Sequence, residues 1–147
     1  MIEYPDIDHS HAFKVTSGAT PEYNCVAWAM NDDQRWWEPS PAVSPVTTTA
    51  IYWPPGVPNV PTFASYVALL DQAGYTACQG AEVEAGFEKV ALYRRQDGDF
   101  GHMARQLPDG RWTSKMGPAV DVRHDTVLDV QSLVYGVLFG YYRRPVR

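Results

Sequence analysis

Seven of the chain's twelve prolines fall in one stretch, Glu38–Pro61. Proline fixes φ and removes a backbone donor, so this stretch can supply neither a helix interior nor a central strand. It predicts an ordered strap with at most a short strand near Ala50–Trp53, and its aromatic pair Tyr52 and Trp53 predicts that it packs onto the body of the protein. Regular structure must then come from a short segment up to about Trp37 and a long one, Thr62–Arg147. A chain of 147 residues fits one domain around one core, residues 1–147, with the strap at about 38–61. There is no internal repeat and no low-complexity tract.

The long segment opens with a well-marked helix. Thr62 can accept an orphan N–H of the first turn. Phe63, Tyr66, Val67, Leu70 and Ala73 recur at helical spacing and give one apolar face, and Gly74 can end the helix in a left-handed conformation. Strand patterns follow at Tyr75–Gln79 and Glu88–Arg94, with Val90, Leu92 and Arg94 on one face. His102–Leu107 and Trp112–Met116 flank Pro108-Asp109-Gly110-Arg111, where proline presets φ and glycine accepts a positive φ; this predicts a hairpin. Tyr135–Tyr142 is an aromatic, β-branched run that predicts a last strand. Helices first and an antiparallel sheet after them make an α+β chain.

Composition enters where it excludes function classes. With 45% hydrophobic and 20% charged residues, a disordered tail or a coiled coil is ruled out. The net charge of -5 and the lack of basic runs beyond Arg94-Arg95 and Arg143-Arg144 argue against nucleic acid as a partner. Leu133–Tyr142, the longest nearly uncharged apolar run, is about half of the ~20 residues a membrane span needs, so no membrane association is expected. The start, Met1–Asp6, has neither a basic cluster nor an apolar stretch, which predicts a cytoplasmic chain with reduced Cys25 and Cys78; specialised secretion is compatible with the same sequence.

Cys25 is the residue with the most chemistry to offer. It precedes a helical run, Val26-Ala27-Trp28-Ala29-Met30, whose start is either Thr20 with Pro21 at the first position or Asn24, which would put Cys25 first. In the second case the amides of the first turn ease ionisation of the thiol; the plainer reading is a buried core cysteine. His102, at the start of a strand, is the candidate base. Ser114 lies twelve residues on, across the hairpin, where even spacing keeps both side chains on one face, and is the candidate orienter. His124 and Asp121 are rivals for that third role. Each of these also has a plain structural reading, as an edge histidine or a strand hydroxyl.

A cysteine at a helix start followed by small and aromatic residues (Asn24–Ala29), a histidine opening a later strand and a polar residue on the next strand resemble the papain-like hydrolases, in particular the small Cys-His amidases and peptidases of the NlpC/P60 and CHAP groups. Most of the chain also resembles a family of small bacterial proteins of unknown function, through Tyr23–Ala29, Arg35-Trp36-Trp37, Tyr52–Gly56, Glu88–Tyr93, His102–Gly117 and Tyr135-Gly136. The resemblance implies a papain-like core, a nucleophile helix packed on an antiparallel sheet, and a hydrolase acting on a peptide or amide through a thioester. Cys25 would be the nucleophile, His102 the base and Ser114 the orienter. Ser114 stands where those groups carry His, Asn or an acidic residue, and no glutamine precedes Cys25. The oxyanion would lie near the Cys25 N–H and the Asn24 side chain, with Tyr23 and Trp28 flanking the substrate.

No cofactor and no metal are expected. Cys25, His102 and His124 lack the spacings of zinc ligands, and His9-Ser10-His11 beside Asp6 and Asp8 reads as a solvated tail. The competing function class is an inactive papain-like fold that binds a partner protein, using Trp36, Trp37, Tyr52 and Trp53 as a surface; core packing against the strap is the expected role of these aromatics. Glu82, Glu84 and Glu88 read as a solvated stretch, Arg94-Arg95 and Arg143-Arg144 as strand ends facing water, and Lys115 as an exposed strand lysine.

Overall fold

A computed structural model describes residues 13–40 and 51–146. Among these residues seven strands form one antiparallel sheet. In chain order the elements are β1 (Phe13–Ser17), α1 (Cys25–Ala29), β2 (Trp36–Trp37), β3 (Ile51–Tyr52), α2 (Phe63–Gln72), β4 (Thr76–Cys78), β5 (Phe87–Arg94), β6 (Phe100–Gln106), β7 (Trp112–Lys115), β8 (Asp121–His124), a single 3-10 turn (Val127–Val130) and β9 (Val137–Pro145). The sheet order is β1-β8-β7-β6-β5-β9-β4, which puts β6 and β5 near its middle. The chain is α+β, with few helices on a mostly antiparallel sheet.

The strand period of two divides the core. Val90, Leu92, Met103 and Tyr142 point to one face and pack with Val26 and Ala29 of α1 and Phe63, Leu69 and Leu70 of α2. Ala91, Tyr93, Ala104, Trp112 and Val122 point to the other and pack beneath the 3-10 turn and Tyr135. The helices therefore cover one side of the sheet, and the segment between β8 and β9 covers the other.

Local chemistry accounts for the elements that were expected. The Thr62 hydroxyl caps α2 by accepting from the Ser65 N–H at 3.3 Å, and Gly74 follows at φ 93°. The β6–β7 turn closes through Leu107 N–H to Arg111 O at 2.7 Å, with Gly110 at φ 94°. The strap packs down as its aromatics require: β3 pairs in parallel with β2, Trp36 is buried, Trp37 meets Tyr52 at 4.9 Å between ring centroids and Trp53 sits edge-on to Tyr66. Residues 41–50, with Ala50, and residues 1–12, with Asp6, Asp8, His9 and His11, lie outside the described residues.

Two strands of the seven-stranded sheet go unannounced in the sequence. β1 is short and almost wholly exposed, and its brief alternation of Phe13 and Val15 with Lys14 and Thr16 is too short a pattern to mark a strand; it is held at the sheet edge by β8. β8 itself is four residues, Asp121-Val122-Arg123-His124, too short for a pattern. The last strand starts at Val137 instead of Tyr135, because Ser132 and Gly136 close a tight bridge with Gly136 at φ 81°.

Charges expected in water are partnered instead. Glu84 pairs with Lys89 at 2.8 Å and with Arg143. Arg144 pairs with Glu88 and lies over the Tyr75 ring at 4.6 Å. Lys115 is fully buried, its Nζ donating to the carbonyls of Thr20, Gly117 and Ala119 at 2.8, 2.6 and 2.7 Å. It is no exposed lysine, because β7 has a neighbour on each side and the Thr20 segment crosses over it. Among the described residues no helix is long and apolar enough to cross a membrane.

Gly101 fixes how closely the 131–136 segment packs onto β6. A Cβ there would lie 1.9 Å from the Tyr135 carbonyl oxygen, a backbone atom that can yield only by moving the segment. Gly101→Ala is expected to destabilise the fold by about 2 kcal/mol or more, read as a lower urea midpoint at an unchanged m value; an unaltered midpoint would contradict this packing.

Candidate functional site

Cys25 is the first residue of α1. Of the two possible helix starts, the structure selects Asn24: its Oδ1 accepts from Ala27 N–H at 3.2 Å, and its backbone is extended (φ -116°, ψ -174°) as a cap requires. Asn24 also ties α1 to the strap side, accepting from Trp37 N–H at 3.1 Å and donating from Nδ2 to Trp37 O at 2.7 Å.

The cysteine is partly exposed and packs against the helix-side core. Burial pushes its thiol up to about 11, against the pull of the backbone N–H groups of Met103, Val26 and Cys25 and of the nearby Lys115 ammonium. Cys25 thus shares the helix-side core with Met103, the residue next to His102. Cys78, the second free cysteine, sits apart on the edge strand β4.

His102, Ser114 and His124 come together on the opposite face of the sheet from Met103. His102 Nε2 lies 2.9 Å from Ser114 Oγ, Ser114 Oγ lies 2.8 Å from His124 Nε2, and His124 Nδ1 lies 2.8 Å from the Thr126 carbonyl. All three side chains are fully buried. The expected even spacing across the hairpin is realised, although the β6–β7 ladder has only two pairs, Arg105 with Thr113 and Gln106 with Trp112. Beyond them the His102–Ser114 side-chain bond joins the two strands. The His102 ring stacks on Tyr135 with centroids 4.6 Å apart and meets Tyr93 at 5.4 Å. Burial, and secondarily His124, pulls its pKa down to about 3; burial also lowers His124.

No hydrogen bond joins Cys25 to His102. Ser114 takes the His102 Nε2, and Nδ1 has no hydrogen-bond partner among the described residues. The sulfur meets the 102–103 peptide from the helix side, whereas the ring projects from it toward Tyr93 and Tyr135.

The residues expected around a substrate are engaged within the protein. Tyr23 donates its hydroxyl to Asp121 Oδ2 at 2.7 Å, and Trp28 Nε1 donates to Thr113 Oγ1 at 2.9 Å, with Arg105 over its ring at 5.1 Å. The Asn24 side chain serves as helix cap and tie. Asp121, a rival orienter, lies on the α1 side with Tyr23 and Thr16, away from the imidazoles. Hydrogen bonds from Ser17, Thr16 and Tyr23 outweigh its burial and hold its carboxyl below the usual range. His124 does not replace Ser114; it extends the same chain by one link. Among the described residues no group of three His, Cys, Asp or Glu side chains could hold a metal ion.

The model of a domain of unknown function, DUF7689, matches residues 14–143. The chain belongs to this family. Searches of curated proteins and of solved structures returned no match. The match spans the residues described above, from Asn24 and Cys25 through His102 and Ser114 to His124 and Thr126.

The two buried imidazoles tie stability of the DUF7689 domain to acid. Both fold into sites that disfavour the charged ring, so the unfolded chain binds more protons below its ordinary histidine range. Stability is therefore complete above about pH 6.5 and falls as pH drops toward the folded His102 value of about 3. The expected loss is on the order of 1.4 kcal/mol for each unit of depression. Urea midpoints between pH 7 and pH 4 check this: His102→Gln should flatten the dependence, and an equal slope in that variant would contradict the assignment.

Proposed function

We propose that the DUF7689 domain is a Cys-His amide hydrolase on a papain-like core, with Cys25 as nucleophile, His102 as general base and Ser114 as orienter. The observation that carries this reading is the asymmetry of His102. One ring nitrogen is anchored on Ser114, the other is buried without a partner among the described residues, and Cys25 packs into the helix-side core that holds the neighbouring Met103 side chain. A base held at one nitrogen and bare at the other is what proton abstraction needs.

In this reading substrate binding must also bring Nδ1 round the β6 backbone to the sulfur, since the ring and the sulfur start on opposite faces of the strand. His102 takes the thiol proton, and the sulfur bonds to the amide carbonyl carbon. The resulting oxyanion lies by the Cys25 and Met103 N–H groups, which takes over the role expected of Asn24. The C–N bond then breaks, the imidazolium protonates the departing amine and an acyl thioester remains. Water drives hydrolysis, whereas a second amine would give transfer. The substrate class is a peptide or small amide.

A second reading, an inactive scaffold that binds a partner protein, is favoured by the missing sulfur–imidazole bond and by a thiol and imidazole that are both neutral at pH 7. An activated ester separates the two. Incubated with p-nitrophenyl acetate, the protein should release p-nitrophenolate and gain one acetyl group mapped to Cys25, with none in Cys25→Ser. Acylation of Cys25 no faster than of Cys78 would overturn the hydrolase reading.

A further inference from the structure

We infer that His124 is a positioning residue: acting through the Ser114 hydroxyl, it fixes His102 in the Nε2–H tautomer and leaves Nδ1 as the bare nitrogen. The catalytic consequence rests on the hydrolase reading above; the proton arrangement itself does not.

The direction of the chain follows from what each atom can do. The Thr126 carbonyl only accepts, so at 2.8 Å the His124 Nδ1 carries a proton and donates it. In a neutral ring Nε2 is then a lone pair. Ser114 lies 2.8 Å from that lone pair and has one proton, which it must donate there. With its proton committed, the hydroxyl can only accept at its remaining contact, His102 Nε2 at 2.9 Å. His102 is therefore protonated on Nε2 and bare on Nδ1, the nitrogen without a partner among the described residues.

A lone serine would not settle this. A hydroxyl can donate to His102 Nε2 as readily as it accepts, and donation would put the imidazole proton on Nδ1, where it blocks abstraction. The Thr126 carbonyl, relayed by His124, removes that freedom. Full burial of all three side chains keeps solvent from supplying another donor or acceptor.

Long-range 15N–1H correlation spectra of the full chain at pH 7.5 test the inference, because the two tautomers give distinct ring-nitrogen signatures. Wild type is expected to show His102 as Nε2–H and His124 as Nδ1–H. In His124→Phe the Ser114 proton is free to turn, and His102 is expected to shift toward Nδ1–H. His124→Gln retains an acceptor and should keep Nε2–H. Acylation of Cys25 should fall about tenfold in His124→Phe, the scale on which outer partners of an oriented imidazole act, and recover in His124→Gln. Should the phenylalanine variant not fold, the wild-type and glutamine spectra still decide. A wild-type His102 protonated on Nδ1, or a tautomer unmoved in His124→Phe, would overturn the inference. If the tautomers are as described but Cys25 never acylates, the hydrolase reading fails and the positioning role stands. If acylation depends on His102 while its tautomer ignores position 124, only the positioning role fails.

Discussion

Lys115→Met is expected to lower the unfolding free energy by about 3–5 kcal/mol, the scale for breaking a buried charge arrangement by removing one partner. The Lys115 ammonium has three protons and spends each on a carbonyl, of Thr20, Gly117 and Ala119. It lies 4.9 Å from the Tyr23 ring centroid, and its charge favours the ionised form of Asp121. Burial lowers its pKa to about 8, with Asp121 and Cys25 pulling the other way. Three acceptors around one nitrogen fit the ammonium and not the amine, which has only two protons. Methionine fills a similar volume but takes the ammonium from three part-buried carbonyls, one of which, on Ala119, keeps the Thr20 N–H, and from the buried Asp121 carboxylate; a carbonyl left bare costs about 1–3 kcal/mol. Urea denaturation measures the loss as a lower midpoint at the same m value. A change under about 1 kcal/mol would mean that water replaces the lysine and that the Thr20 segment is not anchored as described.

That segment shows how much of the site could be read from residue order. Asn24 as cap, Cys25 as first helical residue and Ser114 in reach of His102 follow from local rules, namely cap chemistry and the strand period of two. The α2 cap at Thr62, the Gly110 turn and the β6–β7 hairpin follow the same way. What escaped is non-local. Lys115 looks like a strand lysine because nothing in Trp112–Met116 announces that three carbonyls from residues 20, 117 and 119 converge on it. β8 is too short to show a period, so His124 was visible only as a rival for the Ser114 role, and its place as the next link depends on β7–β8 pairing, Ser114 opposite Val122 and Trp112 opposite His124. Glu84 and Glu88 looked solvated because Arg143 and Arg144 lie more than fifty residues away and meet them only through β5–β9 pairing. The sulfur and the imidazole illustrate the limit best: sequence brought both to one strand, but not the pleat that sends the ring and Met103 to opposite faces.

Replacing His102 by Ala is expected to slow acylation of Cys25 by about 10²–10⁴-fold at pH 7, the range over which a positioned general base acts. The size follows from the thiol. With its pKa near 11, only about one sulfur in 10⁴ is ionised at neutral pH, so without a base the reaction waits on that fraction. With His102, whose ring is neutral above about pH 3, the proton leaves as the carbon–sulfur bond forms. Ser114→Ala should have a smaller effect, because it removes only the anchor at Nε2 and leaves the base itself in place.

The pH dependence of Cys25 acylation by p-nitrophenyl acetate, followed from pH 5 to pH 10 in wild type and His102→Ala, puts the Cys25–His102 partnership to the most direct test. A base that is already neutral and a thiol that is still protonated across this window predict a nearly flat wild-type rate. The alanine variant should instead climb about tenfold per pH unit as the thiolate fraction grows. Two parallel, steeply rising profiles would show a cysteine reacting without the imidazole, and the partnership would be contradicted.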